Sequence, residues 1–259
     1  MNCKLPHIPE RPAKPRQTGQ TMVMDKGLSL SEAEAMLESG AEFIDFVKLG
    51  FGTALITNKL QEKIDLYKRA GVRTYFGGTL FEVFVIRGMF DDFCKFIDKF
   101  GLDLAEVSDG SMEMNNDVKC EYISKLSKRV TVISEVGSKQ ADVHIPDDVW
   151  ISMMKKEMAA GSWKVICEAR ESGNTGIYNA DHSANTKLIE DICHAVKIEN
   201  VIWEAPIKSQ QAWFIKLLGA NVNLGNIATN EVISLETLRR GLRGDTFFQF
   251  LPKEFKEKH

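Results

Sequence analysis

Carboxylates and lysines recur in this chain at one kind of place, inside or just beyond a short apolar, β-branched run. Glu106 lies within Leu104-Ala105-Glu106-Val107, and Ser108 and Asp109 stand at its tip. The same arrangement brings Asp25 next to Lys26 and places Asp45 and Lys48 in one run. It follows Glu135 with Ser138 and Lys139, Glu168 with Arg170 and Glu171, and Glu204 with Ala205-Pro206. Two further runs end in Gly77-Gly78-Thr79, with Glu82 beyond, and in Asn223, Gly225 and Asn226. Carboxylates and ammonium groups converging on one mouth can bind a divalent cation and an anionic substrate together. Oxygen donors without Cys or His favour Mg²⁺ or Mn²⁺ over zinc. One such charge is as well explained by an internal ion pair. A set spread over most runs points to function, because burying unpaired charge costs several kcal/mol per group.

A second cluster, Leu238-Arg239-Arg240-Gly241-Leu242-Arg243-Gly244, follows the last run. Arg239 and Arg243 are four apart and are expected to share a helix face that binds an anion. Glu171-Ser172-Gly173-Asn174-Thr175-Gly176 is loop-like and suited to covering a ligand. The five histidines show no ligand spacing. The five cysteines are scattered singly, which argues against a disulfide framework and for free thiols in a reducing cytoplasm.

The elements that must position these residues alternate. Eight strands are predicted: Thr21–Asp25, Phe43–Leu49, Arg73–Phe76, Leu104–Ser108, Thr131–Val136, Lys164–Ala169, Val201–Ala205 and Val222–Leu224. Helical stripes fall between most of them, such as Leu60, Ile64 and Tyr67, or Phe93, Phe96, Ile97 and Phe100. Ser31 with Glu34 reads as a capping box. Eight strand–helix units predict a single-domain α/β fold, the (β/α)8 TIM barrel, over residues 21–250. An open doubly wound sheet would need a Gly-rich phosphate loop after the first strand, and no GxGxxG or Walker motif is present. Residues 1–20, with a proline at every third position from Pro6 to Pro15, read as an extended arm, and 251–259 as a charged tail. A net charge of −3 suggests no nucleic-acid partner, and no apolar run is long enough to span a bilayer.

Taken in order, DKG (25–27), IDFVKLGFGT (44–53), GGTLFE (77–82), EVSDGS (106–111), SEVG (134–137), EARESG (168–173), EAPIKSQQ (204–211) and NEVISLETLRRGLRGDTF (230–247) resemble the phosphosulfolactate synthases. That family includes a plant heat-stress-associated protein. The resemblance runs from roughly residue 19 to 248 and leaves the proline-rich arm outside. It implies a barrel that assembles into homo-oligomers, trimers among them. It implies a carbon–sulfur lyase of coenzyme M biosynthesis that adds sulfite to phosphoenolpyruvate, with Mg²⁺, giving 2-phospho-3-sulfolactate. Lys139 resembles the proposed proton donor, with Lys26 and Lys48 as rivals. Glu106, Glu135, Glu168 and Glu204 become metal-ligand candidates. Arg170, Arg239, Arg243, Ser108 and Asn226 become substrate-binding candidates. Two alternatives stay open: another enolate-type reaction on a phosphorylated small acid, and a non-catalytic stress-associated barrel.

Overall fold

A computed structural model describes residues 2–138 and 145–257. The strands are β1 (Thr21–Asp25), β2 (Phe46–Leu49), β3 (Arg73–Phe76), β4 (Leu104–Val107), β5 (Thr131–Val136), β6 (Ser162–Cys167), β7 (Val201–Glu204) and β8 (Leu224–Ala228). The helices are α1 (Leu30–Gly40), α2 (Leu60–Arg69), α3 (Gly78–Val85), α4 (Phe90–Lys99), α5 (Asn116–Leu126), α6 (Asp147–Ala159), α7 (Thr186–Ala195), α8 (Lys208–Leu218), α9 (Val232–Arg239) and the short α10 (Lys253–Lys256). The strands pair in parallel in the order β3-β2-β1-β8-β7-β6-β5-β4, and β3 lies beside β4. The result is the nearly closed (β/α)8 barrel that the alternation predicts.

Two separate cores follow from the two-residue period of the strands. Outward residues such as Val23, Val47, Phe76, Val107, Val136, Trp203 and Ile227 pack beneath the helices. The helix stripes meet them there, with Leu60, Ile64, Tyr67, Phe93 and Ile97 buried. Inward residues Met22, Phe46, Leu104, Ile133, Ile166 and Ile202 form a second, smaller core that fills the barrel. One pleat further toward the carboxyl ends, the same six strands carry Met24, Lys48, Glu106, Glu135 and Glu204, with Glu168 one residue past β6. The chemistry sits directly on top of the apolar plug.

Several boundaries differ from the sequence reading. Residues Ala41–Phe43 form a 3₁₀ turn, so β2 starts at Phe46. The eighth strand begins at Leu224, where the sequence reading ends it, and runs to Ala228 through Gly225 and Asn226. Thr21 pairs with Leu224 and Val23 with Ile227, so β8 contains one extra residue, a bulge. The capping box is Ser29 with Glu32, because α1 opens at Leu30.

The arm lies across the amino-terminal ends of the strands. Arg11 pairs with Glu236 at 3.2 Å, and Arg16 with Asp45 at 3.1 Å. Lys14 donates to the carbonyl of Ala41 at 3.1 Å. Lys164 donates to the carbonyls of Gln17 and Glu199. The proline-rich segment thus serves as a strap on its own barrel.

Candidate active site

Lys48 is the centre of the carboxyl-end layer. Its Nζ lies 3.1 Å from Glu106 Oε1, 2.9 Å from Glu135 Oε2 and 3.3 Å from Glu204 Oε1. Burial works against its charge, but the combined attraction of Glu106, Glu135 and Glu204 wins and raises its pKa well above the ordinary lysine value. Burial pushes the Glu204 carboxyl up to about 7, opposed by Lys48 and reinforced by Glu135 and Glu106.

Backbone N–H groups aim the carboxylates of Glu106, Glu204 and Glu168. Glu106 Oε1 accepts from the N–H of Gly78 at 2.5 Å, at the first turn of α3. Gly78 has to lack a side chain, because a Cβ there would lie 2.7 Å from Glu106 Oε1 and collide with Ser108. Glu204 accepts from the N–H of Ala169 at 3.0 Å, and its own carbonyl takes the Tyr178 hydroxyl at 2.7 Å. Glu168 accepts from the N–H of Arg170 at 2.7 Å, a residue held at a left-handed φ of 27°. Lys119 on α5 holds the carbonyl of Glu135 at 2.5 Å together with the carboxylates of Asp109 and Glu157.

Glu135, Glu168 and Glu204 each present a buried oxygen, and these oxygens lie within 4.8 Å of one another. That donor set fits a hard divalent cation. Above it opens a cavity of about 720 Å³. Lys26, Lys48, Thr79, Ser111, Arg170 and Asn226 are among the residues that line it. Asn226 reaches it because the β8 bulge turns it inward at φ 55°, and among the described residues its Oδ1 has no hydrogen-bond partner. Lys26 pairs with Glu171 across the mouth, which brings the predicted β6 loop to the cavity edge.

The structure corrects several sequence assignments. Arg239 is fully buried at the opposite end of the barrel, where its guanidinium donates to the carbonyls of Ala220, Val222 and Gln20. It braces strand starts and does not line the cavity. Arg243 lies beyond the end of α9 and does not line the cavity, so the two arginines share no helix face. Ser108 does not line the cavity either, because its hydroxyl donates to Glu82. Glu82 also takes the N–H of Ser111 at 2.9 Å, so this pair shapes the loop that presents Ser111. Glu106 stands outside the three-carboxylate group and is committed to Gly78 and Lys48. Asp25 points outward to Lys63 at 2.8 Å and Tyr67 at 2.9 Å, and Asp45 lies among the strap contacts. Lys139 falls outside the described residues.

Sequence reading missed Tyr75, whose buried hydroxyl shares the Lys48 layer, and the cavity residues Met24, Phe51 and Ser111, while Thr79, read at a strand end, does line the cavity. Only Phe51 carried a signal, its place between two glycines.

A sequence model of the (2R)-phospho-3-sulfolactate synthase (ComA) family matches residues 9–245. The chain belongs to that family. It is 41% identical over 251 residues to the phosphosulfolactate synthase of Bacillus subtilis, covering 96% of this chain and 100% of that one. It is 41% identical over 237 residues to the phosphosulfolactate synthase of Methanocaldococcus jannaschii, covering 89% and 94%. Protein HEAT-STRESS-ASSOCIATED 32 of Arabidopsis thaliana is 22% identical over 260 residues, covering 89% and 88%. Among solved structures, 3-hexulose-6-phosphate synthase from Salmonella typhimurium superposes with a TM-score of 0.55 at 12% identity, over 86% of this chain and 100% of that one. That likeness is one of fold. The family match begins at residue 9, so most of the strap belongs to it, contrary to the sequence expectation. Among the described residues, no helix is long and apolar enough to cross a membrane.

Proposed function

We propose that this chain adds sulfite to phosphoenolpyruvate to give 2-phospho-3-sulfolactate, with Mg²⁺ held by Glu135, Glu168 and Glu204. The observation that carries the reading is the convergence of those three buried carboxylates beside Lys48 in a member of the phosphosulfolactate synthase family. Oxygens within 4.8 Å of one another are close enough to share one small cation. When bound, the cation supplies Lewis-acid stabilisation of the charge that develops on the substrate carboxylate.

The remaining steps fall to the chain's own side chains. The sulfur lone pair of sulfite forms a C–S bond to the methylene carbon. The alkene electrons move toward the carboxylate, and a proton delivered to C2 restores it, leaving the phosphate ester intact. Lys48 is enclosed by carboxylates, with its Nζ within 3.3 Å of Glu106, Glu135 and Glu204. Its part is to keep Glu106, Glu135 and Glu204 together without mutual repulsion. Lys26 and Arg170, both lining the cavity, offer cations to the phosphate. We assign proton delivery to Lys139, with Lys26 as its rival.

A ³¹P NMR time course with phosphoenolpyruvate, sulfite and Mg²⁺, beside a control lacking sulfite, tests the reaction. A new phosphate ester that appears only with sulfite is expected, and its absence overturns the reading. Lys139→Ala should slow turnover by about 10²-fold or more, as loss of a general acid does. An unchanged rate would move the proton to Lys26.

A further inference from the structure

We propose that Phe51 is a substrate-contact residue whose ring forms an apolar wall for the carbon skeleton of a small phosphorylated acid. The inference rests on the phosphoenolpyruvate reading of the site. Phe51 lies between Gly50 and Gly52, just past β2, at φ 56°. This left-handed conformation is disfavoured for a bulky side chain and free for glycine. Burial offers no compensation, because the residue is 53% exposed. Nor does the ring set the loop's shape. The Gly50 N–H donates to the Asp25 carbonyl at 2.9 Å, and Thr53 returns its N–H and hydroxyl to the Gly50 carbonyl at 3.0 and 2.8 Å. The Leu55 N–H closes on the Gly52 carbonyl at 3.0 Å. Folding therefore gains little from a phenyl group here.

What the residue does line is the cavity. The apolar part of the lining clusters by strand. Pro206, Ala228, Met24 and Phe51 come from β7, β8, β1 and β2 or the residues just after them, four consecutive strands of the barrel. Glu135, Glu168 and Arg170 come from β5 and β6 or just after them. The apolar lining is thus grouped on four adjacent strands, which also supply Lys26, Lys48, Glu204 and Asn226. A phosphorylated enol acid can place its carboxylate and phosphate on the charged groups and its methylene edge toward Met24 and Phe51. Excluding water at that edge also strengthens the charge interactions of the site.

The test compares Phe51→Gly and Phe51→Leu with the parent protein by thermal unfolding, with and without phosphoenolpyruvate and Mg²⁺, and by steady-state kinetics. Without ligand, the Gly variant should unfold at or above the parent's midpoint, because strain is relieved. With ligand, its midpoint should rise less than the parent's, and its KM for phosphoenolpyruvate should be about tenfold higher, the scale of losing one apolar side-chain contact. The Leu variant should keep most of the ligand response. A Gly variant that melts several degrees lower without ligand would show ordinary packing and overturn the proposal. So would a ligand response and KM equal to the parent's. A parent midpoint that ignores phosphoenolpyruvate sinks the reading of the site itself, and the role of Phe51 with it.

Discussion

Lys48 shows how much one residue can carry when its neighbours are fixed. Three carboxylates within 3.3 Å of a single ammonium group would repel one another in its absence. Lys48→Met should therefore cost stability as well as activity, because breaking a buried ion pair from one side typically costs about 3–5 kcal/mol. A lowered urea midpoint together with a loss of turnover is expected. A variant with unchanged stability would mean that the carboxylates are neutralised by other means. The residue types were legible in the sequence because charge inside an apolar strand is conspicuous. Partner choice was not. Ser108 and Glu106 stand in the same motif as cavity residues, yet Glu82 and the Gly78 N–H claim them. Arg239 had the right chemistry for an anion but sits at the wrong end of the barrel.

Elements were legible wherever a period of two gave way to a helical stripe, and β1, β3 and β5 match the sequence reading residue for residue. The eighth strand was misread because Asn and Gly usually end strands. Here they make the bulge that delivers Asn226 to the cavity. The arm's destination was illegible, because its contacts, from Arg11 to Glu236 and from Lys164 to the Gln17 carbonyl, are far apart in sequence. That strap yields a prediction about pH. Burial lowers the Lys164 pKa from 10.5 to about 8, partly offset by Glu199 and Asp45. The unfolded chain then holds this proton more tightly than the folded one between about pH 8 and 10.5, so the group's contribution to stability grows as pH rises through that window and is lost as pH falls. The stability difference between the parent and Lys164→Met, measured by urea unfolding, should shift in the parent's favour from pH 8 to pH 10. A difference that stays constant would show that Lys164 keeps an ordinary pKa.

Across the whole molecule two buried charge clusters stand at opposite ends of the barrel, the first with Asp45 and Glu236 as carboxylate partners and the second around Lys48. Arg11, Lys14, Arg16, Lys164 and Arg239 gather at the amino-terminal end, and Glu106, Glu135, Glu168 and Glu204 at the carboxyl end. Under the phosphoenolpyruvate reading an anionic substrate meets these carboxylates, and a divalent cation would balance the two. If Mg²⁺ binds there in the folded state alone, it must stabilise the whole barrel by mass action, by about 2.7 kcal/mol at a hundred times its Kd. For a chain of this size that corresponds to a rise of roughly 5–10 °C in the unfolding midpoint. Glu168→Gln is the decisive variant, because it removes one of the three converging carboxylates while leaving the Lys48 ion pairs to Glu106, Glu135 and Glu204 in place. Thermal unfolding with and without Mg²⁺ should show the rise in the parent and most of it gone in the variant. An equal rise in both would place the cation elsewhere on the molecule, and no rise in the parent would remove Mg²⁺ from the three-carboxylate group.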